Sequence, residues 1–263
     1  MTALVVAPAW RERLRARADA PPLRPRVPLC WQAHRVGSVE ADLFARAGLS
    51  PGEWLSAESA GGWRVEGELT RSLERIAAIL RDAGLAHTWR DEQLAVRSKD
   101  GSVLGTVERA VTRALGIATQ AVHLTATTPD GRIWLQQRAF DKPTDPGLWD
   151  TLVGGMVPAR DSVEQALARE TWEEAGLRLP QLGGLRRGGR IQTRRPFREL
   201  PHGYLVETLD WYACTLPDGV LPSNQDGEVA AFACMEAAEL AVRLQQDACT
   251  VDAALILLAA HPG

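Results

Sequence analysis

Apolar residues recur with helical spacing in three segments of the chain. Those of residues 69–83 share one helical face: Leu69, Leu73, Ile76, Ala77 and Leu80. Gly84 follows this pattern, and glycine commonly ends a helix. Two further helices are predicted near the end of the sequence, over residues 237–244 and 251–261.

Alternation of apolar and polar residues predicts strands in the rest of the chain. Two hairpins are expected, each with Asp-Gly in its turn: residues 93–97 with 102–107, and residues 121–127 with 132–138. Three later segments also have strand character: residues 188–194, 205–216 and 227–235.

The order of these elements predicts two parts with a boundary near residue 117. Residues 108–115 have helical character and end at a glycine, and a new strand follows. The first part, residues 1–117, is predicted to be a small α+β domain. Within it, residues 1–28 contain a possible Arg-rich helical turn and then Pro21, Pro22, Pro25 and Pro28, and we expect them to form an extended arm. The second part comprises residues 118–263.

One helix of the second part carries its own start and stop signals. Ser162 and Gln165 have the spacing of a capping box, and Gly176 stands where a left-handed C-terminal cap belongs. We therefore predict a helix over residues 163–175, preceded by a glycine-containing loop over residues 154–161.

Three carboxylates on this helix share one face, since Glu170, Glu173 and Glu174 stand at positions i, i+3 and i+4. Neighbouring carboxylates about 5.5 Å apart repel by roughly 3 kcal/mol at an effective dielectric near 20. A divalent cation would reverse that repulsion, and magnesium prefers carboxylate oxygens. The alternative is an exposed helix whose glutamates only contact water.

At this helix the chain resembles the Nudix hydrolases, whose signature reads G-x5-E-x7-R-E-U-x-E-E-x-G-U with U an aliphatic residue. The matching positions are Gly155, Arg169, Glu170, Glu173, Glu174, Gly176 and Leu177. Two positions depart from the signature, because Asp161 replaces its first glutamate and Thr171 replaces its first aliphatic residue. Spacing, both glycines and the capped helix agree, which favours the family over chance.

The resemblance implies a fold and a metal site. The fold would be α+β, a mixed sheet between layers of helices (an α/β/α sandwich), preceded by the small N-terminal α+β domain. Glu170, Glu173 and Glu174, with the carbonyl of Gly154, would hold magnesium, or manganese in its place.

The resemblance also implies supporting roles. Arg169 would orient the carboxylates, and Asp161 would support the site by pairing with that arginine or with the metal through water. Gly155 and Gly176 would be structural. Glu228, outside the signature, resembles the acidic residue that some members use as an extra ligand or base, although a solvated loop glutamate explains it equally well.

Segments outside the signature resemble one Nudix subfamily with an extra N-terminal domain, related to the Nudix part of fungal thiamine pyrophosphokinase fusions. These segments are residues 142–143 and 146–150 before the helix, residues 224–229 after it, residues 31–32, and the region 105–123. This resemblance implies hydrolysis of thiamine diphosphate, or of its oxidised or damaged analogues, to the monophosphate.

Three residues before the helix are candidates for contact with the substrate. Arg138 and Lys142 carry positive charges suited to phosphate, and Trp149 has a ring that can stack on a heterocycle. Two of them also have a structural explanation: Arg138 as a surface residue at a strand end, and Trp149 as part of the core.

Three other functions compete with this hypothesis. Isopentenyl diphosphate isomerase, a Nudix relative, needs a cysteine after a similar loop, and Thr151, Leu152 and Val153 stand there instead, which disfavours it. Hydrolysis of nucleoside diphosphate derivatives, such as oxidised nucleotides, NADH or nucleotide sugars, stays open. So does a catalytically silent binding or regulatory module, although clustered carboxylates argue against it.

Composition limits the partners. The 263 residues have 45% hydrophobic content and a net charge of −3 with interspersed signs, so no basic footprint for nucleic acid is visible. Four cysteines without C-x-x-C spacing are expected to be reduced. Neither a secretory signal nor an apolar run long enough for a membrane is recognised, so we expect a cytoplasmic protein with a small diphosphate substrate. Assembly as a homodimer is left open.

Overall fold

The computed structural model describes residues 3–59 and 61–262, which form three sheets and six helices. The helices are α1 (Pro8–Ala18), α2 (Leu43–Arg46), α3 (Leu69–Asp82), α4 (Val163–Ala175), α5 (Ala237–Gln245) and α6 (Val251–Ala260). The strands of the first part are β1 (Arg26–Trp31), β2 (His34–Glu40), β3 (Leu55–Ala57), β4 (Trp63–Val65), β5 (Gln93–Arg97) and β6 (Val103–Glu108). Those of the second part are β7 (Thr119–Thr127), β8 (Ile133–Arg138), β9 (Trp149–Thr151), β10 (Val153–Met156), β11 (Gly183–Pro196), β12 (Tyr204–Thr215) and β13 (Val229–Met235).

The first part is built on a four-stranded sheet in the order β2-β1-β4-β3, covered by α3. The predicted helix over residues 69–83 is confirmed and ends one residue earlier. The carboxylate of Glu68 caps it by accepting hydrogen bonds from the N–H groups of Thr70 (2.9 Å) and Arg71 (2.8 Å). Its predicted apolar face is buried against the sheet.

The hairpin β5-β6 is also confirmed, but the helix expected over residues 108–115 is not. Only a 3-10 turn, Arg109–Val111, forms there. The reason is tertiary: the Leu115 carbonyl accepts a hydrogen bond from the N–H of Ser38 in β2 at 2.8 Å, which ties this segment to the first sheet.

The second part is a mixed sheet between helices, as the fold class predicted. Its strand order is β11-β12-β7-β8-β13, with β10 paired to β7 and β9 to β8. Strand β7 runs parallel to β12 and antiparallel to β8 and β10. Helix α4 packs on one face, and α6 packs on the other through Ile256. None of the helices in the described residues is long and apolar enough to cross a membrane.

The glycine-containing loop expected over residues 154–161 begins later than predicted. Residues Val153–Met156 form strand β10, in which Gly154 and Gly155 pair with His123 and Val122 of β7. The strand forms because β7 offers a free edge for backbone pairing at this point. Only the remaining residues connect the strand to α4.

The expected extended arm over residues 1–28 is wrong for most of its described length. Residues Pro8–Ala18 form helix α1, and β1 begins at Arg26. Proline is tolerated in the first turn of a helix, so Pro8 begins the helix instead of breaking it. Trp10 and Leu14 are buried among residues of α5 and α6, so this segment of the first part packs on the second. Met1 and Thr2 lie outside the described residues.

Candidate active site

The helix α4 has the predicted bounds because its predicted caps form. Ser162 Oγ accepts a hydrogen bond from the Gln165 N–H at 3.2 Å, and Gln165 Oε1 accepts one from the Ser162 N–H at 2.8 Å. Gly176 is left-handed, with φ of 65°, and a Cβ there would lie 2.6 Å from the Ser223 carbonyl oxygen. Thr171, the aliphatic position of the signature, is buried with its hydroxyl donating to the Leu167 carbonyl at 2.6 Å.

The three carboxylates of α4 differ in exposure. The side chain of Glu173 is 39% exposed, that of Glu170 is 12% exposed and that of Glu174 is 2% exposed. Gly155 makes room for Glu170, because a Cβ on Gly155 would lie 2.0 Å from the Glu170 carboxyl carbon. The signature glycine therefore allows the carboxylate to press against strand β10.

Arg169 holds several acidic groups from the same helix. Its Nη1 lies 2.9 Å from Glu170 Oε1 and 2.7 Å from Glu173 Oε2. Its Nε donates to Asp161 Oδ2 at 3.1 Å. The shorter side chain of Asp161 therefore still reaches the arginine, which is the supporting contact that the resemblance implied for this position.

Glu174 is buried with neutral partners. Its Oε2 accepts hydrogen bonds from Gln136 Nε2 and from the Gly154 N–H, both at 2.8 Å. Burial, together with the charge of Glu170, raises the pKa of Glu174 to about 8. Burial likewise raises the pKa of Glu170 to about 7. Glu170 keeps this raised pKa although Arg169 lies 2.9 Å away, whereas the ion pair of Glu174 with Lys142 is longer, at 3.9 Å.

Lys142 and Glu228 meet at the same place, although 86 residues separate them in sequence. Lys142 Nζ donates a hydrogen bond to Glu228 and lies 3.9 Å from Glu174 Oε1. Burial opposes ionisation of Glu228, but Lys142, followed by the charges of Arg90 and Arg109, lowers the pKa of Glu228. The structure thus brings these two predicted residues to the carboxylates of α4.

A cleft of about 1030 Å³ opens at this point. One end, which we call the carboxylate end, is lined by Lys142, Gly154, Gly155, Glu170 and Glu228. The predicted residues Arg169, Glu173 and Glu174 support this end without lining the cleft.

The carboxylate end fits a hard divalent cation by its chemistry. Its oxygen donors are clustered, and those of Glu170 and Glu174 are destabilised as anions by burial. In the part of the chain that the structure describes, no three side chains of metal-binding type converge as ligands. Arg169 contacts both Glu170 and Glu173 at this point. Gly154 lines this end and donates its N–H to Glu174.

The two remaining predicted substrate contacts have different positions. Arg138 lines the cleft, but it also donates to the Thr144 carbonyl at 3.2 and 2.9 Å and so braces the preceding loop. Trp149 does not line the cleft. Its ring packs on the core of α5 and α6, with the Arg243 guanidinium 5.2 Å from the ring centre. The structural explanation of Trp149 is the one that this position supports.

Sequence reasoning missed His123, which lines the cleft beside the glycines of β10. Its Nδ1 lies 2.9 Å from Thr151 Oγ1 and 3.8 Å from Asp150 Oδ1. A Cβ on Gly154 would lie 2.7 Å from this nitrogen, so the glycine admits the ring. No spacing in the sequence signals the contact, because it depends on the pairing of β7 with β10.

Sequence reasoning also missed the contribution of the first part to the cleft. Residues 87–90 and 109–113, which we call the N-terminal wall, supply His87, Arg90, Arg109 and Arg113. The ring of His87 lies edge-on to Phe197 of the second part, with centres 5.3 Å apart. Both parts of the chain therefore line one cleft.

Comparison with known proteins agrees with this architecture. The family model described as "NUDIX domain" matches residues 118–255. The chain is 30% identical over 177 residues to "Nudix hydrolase 20, chloroplastic" of Arabidopsis thaliana, covering 65% of this chain and 46% of that protein. It is 30% identical over 178 residues to "Nudix hydrolase 24, chloroplastic" of the same plant, covering 66% and 48%. The chain thus spans about half the length of these curated relatives.

Among solved structures, DR0079 from Deinococcus radiodurans is similar in fold. It superposes with a TM-score of 0.52 and 21% sequence identity, covering 63% of this chain and 97% of that one. The family model covers more than half of the chain and includes every signature residue on β10 and α4. The chain therefore belongs to the Nudix family.

Proposed function

We propose that this protein is a Nudix hydrolase that cleaves a diphosphate linkage with the help of a divalent cation. The observation that carries the proposal is the pair of buried carboxylates, Glu170 and Glu174, at a cleft also lined by Lys142. Nudix hydrolases generally use divalent metal ions, and magnesium is the ion we propose here. Two neighbouring carboxyl groups whose ionisation is opposed by burial would be a liability in a purely structural helix.

Each residue of the carboxylate end has a role in this proposal. Glu170 and Glu174, with Glu173 at the edge, would hold the cation, and Arg169 keeps Glu170 and Glu173 oriented. A divalent cation held there would neutralise diphosphate oxygens and lower the pKa of a water molecule for attack on phosphorus. Lys142 binds a phosphate oxygen as a point charge. Glu228, kept ionised by Lys142, accepts a proton from the attacking water.

The substrate we propose is thiamine diphosphate, or an oxidised or damaged analogue of it, cleaved to the monophosphate. Support comes from the subfamily resemblance outside the signature and from a cleft large enough for a ring system beside the phosphates. His87 and Phe197, which line the cleft, offer faces for a heterocycle. Nucleoside diphosphate derivatives also combine a heterocyclic ring with a diphosphate, so they are the alternative substrate class.

A substrate panel tests the proposal. Purified protein with magnesium would be offered thiamine diphosphate, its oxidised analogues, nucleoside diphosphates and NADH, and released monophosphate or phosphate would be measured. We expect turnover of at least one diphosphate and its loss in Glu170→Gln. Glu74→Gln, an exposed change on α3, is the matched control and should keep full turnover.

Two outcomes would contradict the proposal. Absence of turnover with every diphosphate favours the silent module, and undiminished turnover in Glu170→Gln removes the carboxylate end from the chemistry. If a nucleoside diphosphate derivative is turned over faster than any thiamine compound, the proposed substrate is wrong and the proposed type of reaction still holds.

A further inference from the structure

The N-terminal wall brings guanidinium groups to the cleft that the family signature does not include. Arg90 and Arg109 both line it, together with His87. They belong to the first part of the chain, which lies outside the residues matched by the family model.

Hydrogen bonds hold the wall together. The buried carboxylate of Glu108 accepts from the backbone N–H groups of Arg90 at 3.2 Å and Ala110 at 3.3 Å. The Ala110 carbonyl accepts from the His87 N–H at 2.9 Å. The two segments of the wall are therefore linked at several points, which fixes the backbone from which both arginines project.

The wall is also fixed to the second part. The N–H of Ala159, in the connection between β10 and α4, donates to the Gln93 carbonyl of β5 at 2.8 Å. At the other end of the wall, the Arg113 carbonyl accepts from the Tyr204 N–H at 2.8 Å. Backbone hydrogen bonds at the wall and next to it thus tie the first part to the second beside the cleft.

The two arginines have hydrogen-bonding capacity to spare. Within the described residues, the Arg90 side chain makes no hydrogen bond or ion pair, and it is exposed at the cleft. Arg109 uses Nη1 to contact Glu92 at 2.8 Å, and its side chain is 39% exposed. The charges of both reach Glu228, whose pKa they help Lys142 to lower. Positive charge from the first part therefore acts on the carboxylate end.

We propose that Arg90 and Arg109 bind a phosphate group of the diphosphate, so that the N-terminal wall completes the substrate site. Guanidinium groups suit this role because they donate paired hydrogen bonds to phosphate oxygens. The inference rests on the proposed function for the identity of the ligand. It assigns the first part of the chain to substrate binding, where the family signature gives it no role.

Binding of a diphosphate that cannot be hydrolysed separates this inference from catalysis. The probe is methylene diphosphonate, titrated calorimetrically with excess magnesium into the protein with both of its parts. We expect Arg90→Ala and Arg109→Ala each to weaken binding about 10-fold, the order of magnitude for a lost hydrogen bond to a charged group. Arg71→Ala is the matched control, since this exposed arginine of α3 has the same charge and lies outside the cleft.

Kinetics with the substrate found by the panel give a second measurement. Both variants should raise KM about 10-fold and change kcat less than about 3-fold, because binding of the diphosphate is shared by ground and transition states. Arg90→Lys should recover part of the affinity, since it keeps the charge and loses the paired donors. A merely structural role would not give this rescue.

The outcomes distinguish the two proposals. Unchanged diphosphonate affinity in both alanine variants, or absence of binding to the unaltered protein, overturns the inference. Weakened binding in these variants without hydrolysis of any diphosphate by the unaltered protein supports the inference and overturns the hydrolase proposal alone.

Discussion

Two glutamates of this protein are buried to a similar degree but have opposite electrostatic environments. Glu207 in β12 is paired with Arg113, with Nη2 and Oε1 2.7 Å apart, and accepts the Thr119 hydroxyl at 2.7 Å. Burial opposes its ionisation, but these contacts lower the pKa of Glu207 to about 2. Burial raises the pKa of Glu174 in α4 to about 8, because its nearest cation is Lys142 at 3.9 Å.

The difference shows how the partners of a buried carboxylate distinguish a structural role from a functional one. A buried carboxylate with an arginine partner is satisfied by the fold itself. A buried carboxylate with amide partners and a distant lysine is left for another cation to satisfy. A substitution at Glu174 should therefore lower mainly the activity, whereas a substitution at the pair of Glu207 and Arg113 should lower mainly the stability.

The largest expected effect is the loss of activity in Glu174→Gln. Turnover should fall by about 1000-fold, since a metal ligand contributes several kcal/mol to transition-state stabilisation. Stability should stay near that of the unaltered protein, because glutamine can still accept the Gly154 hydrogen bond and carries no buried charge. Steady-state kinetics and thermal unfolding measure the two quantities. A loss of stability as large as that of a core substitution would show that Glu174, like Glu207, has a structural role.

The second effect is a loss of stability in Arg113→Met. Removing the arginine leaves Glu207 as an unpaired buried charge, so the free energy of unfolding should fall by about 3–5 kcal/mol. Turnover per folded molecule should fall less than about 10-fold, since the ion pair belongs to the fold. Urea unfolding followed by tryptophan fluorescence measures the change. An unaltered unfolding midpoint would show that the pair stabilises nothing.

The third effect is a pH dependence of the same pair. The pKa of Glu207 is lower in the folded than in the unfolded protein, so its contribution is present above pH 4.5 and lost as pH falls towards 2. The stability advantage of the unaltered protein over Glu207→Gln should shrink by about 3 kcal/mol across that range. Unfolding curves of both proteins at several pH values test this. A constant advantage would mean that the carboxylate titrates normally.

The smallest effect is stabilisation by magnesium. Adding magnesium to chelator-treated protein should raise Tm by about 5 °C, equivalent to about 2 kcal/mol of binding linkage. The shift should disappear in Glu174→Gln and persist in Glu239→Gln, an exposed change on α5. Equal shifts in the two variants would assign the ion to another location.

The sequence predicted α4 to the residue because its signals are local. Its cap, its end and its signature all lie within a short stretch around Ser162 and Gly176. The longer strands were also predicted, because apolar and polar residues alternate in them over many positions. Strands β3 and β4 have three residues each, which is too few for a pattern. They pair with each other, and β4 joins the sheet by pairing with the distant strand β1.

The site was predicted only as far as the helix and its neighbouring loop. Glu207 lies 94 residues from Arg113, and the pairing of β12 with β7, which begins shortly after Arg113, brings them close in a way that no local pattern encodes. The N-terminal wall was missed for the same reason. The residue type of Trp149 suits stacking on a substrate, but packing against α5 and α6 determines where its ring lies.

Helix α1 packs against the last helices of the chain, α5 and α6. Leu4, Trp10 and Leu14 are buried in one cluster with residues of α5 and α6, and the Leu4 N–H donates to the His261 carbonyl at 3.1 Å. A fragment cut at the predicted boundary near residue 117 would therefore lose part of its own core and expose an apolar surface prone to aggregation. Because α1 shares one hydrophobic core with α5 and α6, the second part should be expressed and engineered together with this helix.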